Sequence, residues 1–125
     1  MARKQSPTLT DAELRLMKIL WERGPSTVGD VVETLPDDEP LAYSTVLTTL
    51  RILEQKGYLR HEKQGRAYVY HAVVDRGAAR RTALRYVMDR FFNNSPEQLV
   101  LGVLESEDMD LADLERLKKM IEESE

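Results

Sequence analysis

The sequence predicts a mainly α-helical chain with one small β-hairpin. Apolar residues recur at helical spacing in six separate segments, and between the third and the fourth of these the spacing changes to every second residue. The chain has 125 residues, of which 42% are hydrophobic and 32% charged, so it can bury a core. It has no cysteine, which excludes disulfides and thiolate chemistry.

Two short helices come first. Thr10 and Glu13 have the spacing of a capping box, which predicts the start of the first helix, and Gly24 ends its apolar pattern. Ser26 or Thr27 can cap the second helix. The apolar positions expected to face the core are Leu14, Met17, Leu20 and Trp21 in the first helix and Val28, Val31, Val32 and Leu35 in the second.

The third helix is expected over residues 42–56, with Gly57 closing it. At about 100° per residue, Val46, Leu50 and Leu53 fall in one narrow arc and predict the buried face. The opposite arc carries Ser44, Thr48, Arg51 and Gln55, flanked by Thr45 and Ile52. Glu and Lys dominate most solvated helix faces, so these shorter hydrogen-bonding side chains indicate a face that approaches another molecule closely.

The hairpin is expected from residues 58–63 and 67–73, joined across Gln64 and Gly65. Its tip carries Lys63, Gln64 and Arg66, and residues 51–74 have a net charge of +3 although the whole chain has −4. Three helices followed by a basic hairpin predict a winged helix-turn-helix domain over residues 1–74. The third helix would then read DNA bases while the hairpin, or wing, contacts phosphates.

Residues 75–125 are expected to form a helical dimerisation region. One helix is predicted over residues 75–92, a second after the capping residue Ser95, and a third from about Asp110. Three short amphipathic helices are too little chain to enclose a core alone, so a second subunit is expected to cover them. The residues expected in this interface are Leu99, Val100, Val103, Leu104, Leu114, Leu117 and Ile121. Such a homodimer would bind a palindromic operator.

Several classes of function are not expected. The sequence has no glycine-rich phosphate loop, no paired histidine motif and no Gly-x-Ser-x-Gly elbow, so neither an enzyme nor a cofactor is predicted. His61 and His71 are expected to be ordinary hairpin side chains rather than metal ligands. No apolar run approaches the roughly 20 residues of a membrane helix, and no export signal follows Arg3 and Lys4, so a cytoplasmic protein is expected.

Three segments resemble the penicillinase repressors, the BlaI/MecI type of bacterial regulator. They are residues 9–25 (LTDAELRLMKILWERGP), 43–59 (YSTVLTTLRILEQKGYL) and 64–70 (QGRAYVY). The resemblance implies a dimeric winged-helix repressor of β-lactam-resistance genes, whose operators are inverted repeats around a TACA/TGTA core. The resemblance, the exposed face of the third helix and the basic hairpin tip together predict DNA contacts at Tyr43, Ser44, Thr45, Thr48, Arg51, Lys63, Gly65 and Arg66.

The resemblance also implies a route of inactivation. Repressors of this type are cut by a sensor-linked metalloprotease at an Asn-Phe bond, and the aligned pair here is Gly102 and Val103. A membrane sensor protease is therefore an expected partner, with this bond as the candidate cleavage site. Two other functions stay open: a winged-helix adaptor that binds protein instead of DNA, and a ligand-responsive multidrug-type regulator with Met88, Phe91 and Phe92 around a pocket.

Overall fold

The computed structural model describes residues 7–106 and 108–123, and in them it confirms the mainly α-helical fold with one hairpin. The elements are α1 (Asp11–Arg23), α2 (Val28–Thr34), α3 (Tyr43–Gln55), β1 (Leu59–Gln64), β2 (Ala67–Ala72), α4 (Arg76–Phe91), α5 (Pro96–Ser106) and α6 (Leu111–Glu123). The chain divides into two compact units, of which one ends at Leu84 and the other begins at Arg85. The boundary of functional domains at residues 74/75 stays a prediction.

Local capping signals start the first two helices. The Thr10 hydroxyl accepts the Glu13 backbone N–H at 3.2 Å, and the Glu13 carboxylate accepts the Thr10 N–H at 2.9 Å. Thr27 and Asp30 form the same reciprocal pair at the start of α2. Each box pairs two backbone N–H groups at a helix end. The predicted start of α1 is confirmed, and of the two candidates for the cap of α2 the structure has Thr27, because the Ser26 hydroxyl donates to the Gly24 carbonyl instead.

The core of the N-terminal unit lies among α1, α2, α3 and the hairpin. Val46, Leu50 and Leu53 have no exposed surface, as predicted for the inner face of α3. The buried face of α1 is rotated relative to the predicted one. Leu16 is fully buried, whereas Leu14 and Trp21 are only partly buried. The remaining fully or nearly fully buried apolar residues include Met17, Leu20, Val28, Val31, Leu35, Tyr58, Leu59 and Tyr70.

The buried face of α1 also includes an ion pair. Glu13 is only 5% exposed and lies on the buried face of α1, which a search for apolar residues alone does not find. Its carboxylate accepts a hydrogen bond from the Lys56 ammonium at 2.7 Å, and Lys56 also donates to the Thr8 carbonyl at 3.1 Å. Lys56 therefore links the end of α3 to the start of α1, and its charge does not add to the basic surface predicted for residues 51–74.

The hairpin differs from the prediction by one residue at its turn. Gln64 pairs with Ala67, so the two turn residues are Gly65 and Arg66 rather than Gln64 and Gly65. Gly65 has φ +62° and Arg66 has a negative φ, as in a type II′ turn, where the first position favours glycine. The backbones of Ser26 and Tyr70 exchange hydrogen bonds of 3.1 and 2.8 Å, which join β2 to the turn between α1 and α2.

The C-terminal unit has little apolar surface buried within it. Asn93 and Asn94 end α4 with φ values of +49° and +58°, and Ser95 caps α5 by accepting the Gln98 N–H at 3.2 Å. Asp110 caps α6 through the Asp113 N–H at 2.9 Å. Neither α5 nor α6 contains a buried residue. No helix among the described residues is long and apolar enough to cross a membrane.

Candidate nucleic-acid interface

The outer face of α3 is exposed along its whole length. Tyr43, which is 58% exposed, is followed by the exposed side chains of Ser44, Thr45, Thr48 and Arg51. The three fully buried residues on the opposite side fix the rotation of the helix, so these polar groups are held outward. Ala42, the residue before the helix, provides no side-chain cap. The first N–H groups of α3 are therefore available to an anion such as a phosphate.

Arg51 lies where α3 meets the wing. Burial raises the pKa of the Tyr70 hydroxyl, the Glu54 carboxylate raises it further, and Arg51 opposes both through its charge and a hydrogen bond. Arg51 therefore lies close to Tyr70 of β2, which is only 3% exposed. Arg51 is thus near the wing and remains exposed to solvent.

His61 makes the second link between α3 and the wing. Its Nδ1 lies 2.7 and 2.8 Å from the two oxygens of Glu54, and its ring meets the Tyr68 ring edge-on at 5.0 Å between centroids. The sequence pattern does not indicate Glu54, His61 or Tyr70 as parts of the site. Glu54 and His61 meet where α3 packs on β1, and Tyr70 lies opposite His61 because of the strand register; no local spacing in the sequence specifies either contact.

The wing tip carries the remaining predicted contacts. Lys63, Gly65 and Arg66 are all exposed, and neither cation has an ion pair within the described part of the chain. Arg60 instead pairs with Glu62 and lowers the pKa of that carboxyl, and His71 Nε2 lies 3.6 Å from the same side chain. Charge near the base of the wing is thus compensated, while the tip stays positive.

The two histidines lie near different carboxylates, and only His61 is within hydrogen-bond distance of its neighbour. His61 faces Glu54 and His71 faces Glu62, both on the hairpin side of the unit. Among residues 7–106 and 108–123, no three His, Cys, Asp or Glu side chains are grouped so that they could hold a metal ion.

The predicted interface residues of α5 and α6 lie on surfaces with many exposed apolar side chains. Val100, Val103, Leu114, Leu117 and Ile121 are all exposed, while Leu99 and Leu104 are partly buried. Leu101, Leu111 and Met120, which the pattern did not single out, are exposed as well. The exposed apolar surfaces therefore include more residues than the predicted interface. The assignment of the predicted residues to a dimer interface stays a prediction.

Gly102 and Val103 lie inside α5. A Cβ atom built on Gly102 would come within 3.1 Å of the Phe92 ring, closer than such contacts normally are. Glycine therefore lets Phe92 pack against the helix, which is a structural role independent of any cleavage. Val103 is 40% exposed.

Comparisons with known proteins agree with this geometry. The model of a family described as "Penicillinase repressor" matches residues 9–123. The penicillinase repressor of Bacillus licheniformis is 29% identical over 120 residues, which cover 96% of this chain and 94% of that protein. The methicillin resistance regulatory protein MecI of Staphylococcus aureus strain N315 is 20% identical, with 90% and 92% of the two chains covered.

A solved structure with the same fold is more similar in sequence than the two relatives above. The solution structure of the DNA-binding domain of the repressor BlaI is 33% identical, covers 61% of this chain and 93% of that chain, and superposes with a TM-score of 0.52. The predicted winged-helix fold is confirmed by this similarity together with the order of helices and strands.

Proposed function

The chain belongs to the penicillinase repressor family, and we propose that it is a DNA-binding transcriptional repressor of the β-lactam-resistance type. The family consists of transcriptional repressors, so the chain is not an enzyme. The observation that carries the proposal is the outer face of α3, where exposed hydroxyl and guanidinium groups are held outward by three fully buried residues.

In the proposed complex α3 enters the major groove of double-stranded DNA. The guanidinium of Arg51 has the fork geometry to donate two hydrogen bonds to one guanine edge. Thr45 and Thr48 offer methyl groups to thymine or hydroxyls to phosphate. Lys63 and Arg66 contact the phosphate backbone from the wing, and their lack of ion pairs among the described residues supports this assignment.

We further propose that the repressor acts as a homodimer. The supporting observation is the apolar surface of α5 and α6, in which no residue is buried. Large exposed apolar patches are uncommon on monomeric proteins, so a second copy of the chain is the proposed cover. A two-fold dimer presents two α3 helices to an inverted-repeat operator.

The proposed route of inactivation is cleavage at Gly102–Val103 by a sensor-linked protease. A protease needs an extended substrate, and glycine lowers the stability of a helix by about 1 kcal/mol relative to alanine, so α5 can open locally at this point. Mass spectrometry of the repressor after β-lactam treatment of cells tests this route. The relatives are bacterial proteins, whose DNA lies in the cytoplasm, so a cytoplasmic location is part of the proposal.

Equilibrium titration separates the proposed function from the adaptor alternative. The full chain is titrated into a labelled duplex that contains an inverted TACA/TGTA repeat and into a scrambled duplex of the same composition, over a series of salt concentrations. We expect the repeat to bind about 10³-fold or more tightly than the scrambled duplex, with both affinities falling as salt rises. Equal affinity for the two duplexes contradicts sequence-specific repression, and the absence of any salt-dependent binding supports a protein adaptor.

A further inference from the structure

A cleft of about 190 Å³ lies between α1 and the first half of α4, entirely within the N-terminal unit. Leu9, Leu14 and Trp21 line one side, and Ala79 and Ala83 line the other. Most of its lining is apolar. None of the predicted DNA-contact residues on α3 and the wing lines the cleft. The proposed DNA binding therefore does not use it.

The side chains of α4 explain why the cleft is open. Positions 76, 79, 80 and 83 lie on one face of the helix, where large apolar residues would normally fill the space against a neighbouring helix. Ala79 and Ala83 are too short to do so. The opposite wall is rigid, because the Trp21 indole N–H donates to the Val74 carbonyl at 2.9 Å and fixes the ring.

Two arginines give the cleft a positive rim. The Arg76 guanidinium lies 5.5 Å from the centroid of the Trp21 ring, and its nearest carboxylate, that of Glu22, is 4.0 Å away. Those two side chains are 45% and 76% exposed, so solvent weakens their attraction. Arg80 is exposed and has no ion pair in the described part of the chain. An incoming carboxylate therefore meets two guanidinium groups with little competition.

We propose that this cleft binds a small organic anion with one aromatic ring and one carboxylate. An apolar cavity of roughly 150 Å³ is large enough to hold benzene, so the cleft has room for a single ring. The ring would lie between the Trp21 indole and the two alanines, where aromatic contact and apolar burial stabilise it. The carboxylate would accept paired hydrogen bonds from Arg80, with Arg76 adding positive charge.

The protein carries its own reporter for this site. Trp21 is the only tryptophan of the chain, so tryptophan fluorescence reports on the surroundings of this one side chain. Trp21 also lines a second cleft, with Leu20 and Val73, so variants are needed to locate the ligand. Benzoate is titrated into the full chain without DNA, with benzamide as a neutral compound of similar size. We expect saturable quenching by benzoate and binding of benzamide that is roughly 10-fold weaker, because benzamide lacks the charge that the guanidinium groups recognise. Linear quenching equal to that of free tryptophan amide would overturn the proposal.

Three variants locate the binding. Arg80→Gln is expected to weaken benzoate about 10-fold, whereas Arg81→Gln, which removes the same charge from a residue outside the cleft, leaves it unchanged. Ala83→Leu fills the space and is expected to abolish saturation. Thermal melting checks that each variant folds, and Arg80→Gln remains a test if Ala83→Leu does not.

Two results overturn the proposed occupant. Benzoate binding that is equal in the wild type, Arg80→Gln and Ala83→Leu places the ligand elsewhere. A Trp21 signal that depends on protein concentration, with an oligomer lost in Ala83→Leu, assigns the cleft to a second copy of the chain instead. Since DNA is absent from these measurements, their outcome is independent of the proposed repressor function.

Discussion

Arg51 and Arg66 are both exposed cations of the N-terminal unit, but their surroundings predict different contributions to DNA binding. Arg51 lies on α3, whose rotation is fixed by the buried residues Val46, Leu50 and Leu53, and this suits a directed contact with one base. Arg66 lies in the two-residue turn of the wing. We expect Arg51→Ala to weaken operator binding by about 1–3 kcal/mol and to reduce preference over a scrambled duplex, as measured by fluorescence anisotropy.

Arg66→Ala is compared with Arg51→Ala to separate phosphate contacts from base contacts. Because phosphates are present in every sequence, its loss is expected to weaken operator and scrambled duplex by similar factors and to make the salt dependence less steep. If Arg51→Ala also weakens both duplexes equally, Arg51 contacts phosphate and another residue reads the base.

Lys56 and Glu13 form the buried pair whose loss is expected to be most costly. Their side chains are 6% and 7% exposed, so Lys56→Met leaves a carboxylate buried without its partner. We expect this variant to lower the free energy of unfolding by about 3–5 kcal/mol in urea denaturation. The double variant Glu13→Gln with Lys56→Met should recover most of this loss, because no unpaired charge remains and Gln can still accept the Thr10 N–H.

Lys18→Met is the matched control, since Lys18 is exposed on α1. A small change of stability is expected there, within about 0.5 kcal/mol. A loss in Lys56→Met no larger than in this control would show that the pair contributes little. The sequence predicts Glu13 as a capping residue but not as the partner of Lys56, because 43 positions separate the two and no local spacing relates them.

At the scale of the elements, α2 has a start that depends on pH. The backbone hydrogen bond from Thr27 lowers the pKa of Asp30, and the charge of Arg23 acts in the same direction. A carboxyl whose folded pKa lies below its unfolded value stabilises the fold above the unfolded value, about 4, and loses this contribution as pH falls through the folded value. Asp30→Asn should therefore lower Tm at pH 7, and the difference from wild type should shrink below about pH 4.

Asp37→Asn controls for the removal of one negative charge, because Asp37 lies in the exposed connection between α2 and α3. Its Tm at pH 7 is expected to be closer to that of the wild type than the Tm of Asp30→Asn. A Tm difference for Asp30→Asn that stays constant between pH 7 and pH 3 would contradict a role for the ionised carboxylate at the start of α2.

Element boundaries were predictable where the signal is local. Thr10, Thr27 and Gly57 act on the few residues beside them, so their spacing in the sequence places α1, α2 and the end of α3. The hairpin turn was misplaced by one residue, because both Gln64–Gly65 and Gly65–Arg66 place the glycine in a two-residue turn. Cross-strand pairing decides between them, and pairing is a tertiary property.

At the scale of the whole molecule, the N-terminal unit was predictable and the surroundings of the C-terminal helices were not. The periodicity of α3 identifies both its buried and its outer face, since burial of Val46, Leu50 and Leu53 fixes the rotation. In α5 and α6 the same periodicity identifies an apolar face, but it does not specify what covers that face. The cleft beside Trp21 also escapes the pattern, because it depends on how α1 and α4 pack.

The apolar face of α6 gives the sharpest test of the homodimer. Leu117→Asp places a charge on the face that also carries Leu114 and Ile121, and burying it in an interface without a partner is unfavourable. Sedimentation is therefore expected to show a folded monomer, and operator affinity should fall by roughly 10²-fold or more because two linked α3 helices no longer bind together. Lys119→Asp places the same side chain on the opposite face and should remain dimeric. A Leu117→Asp chain that still sediments as the wild type would exclude this face from the interface.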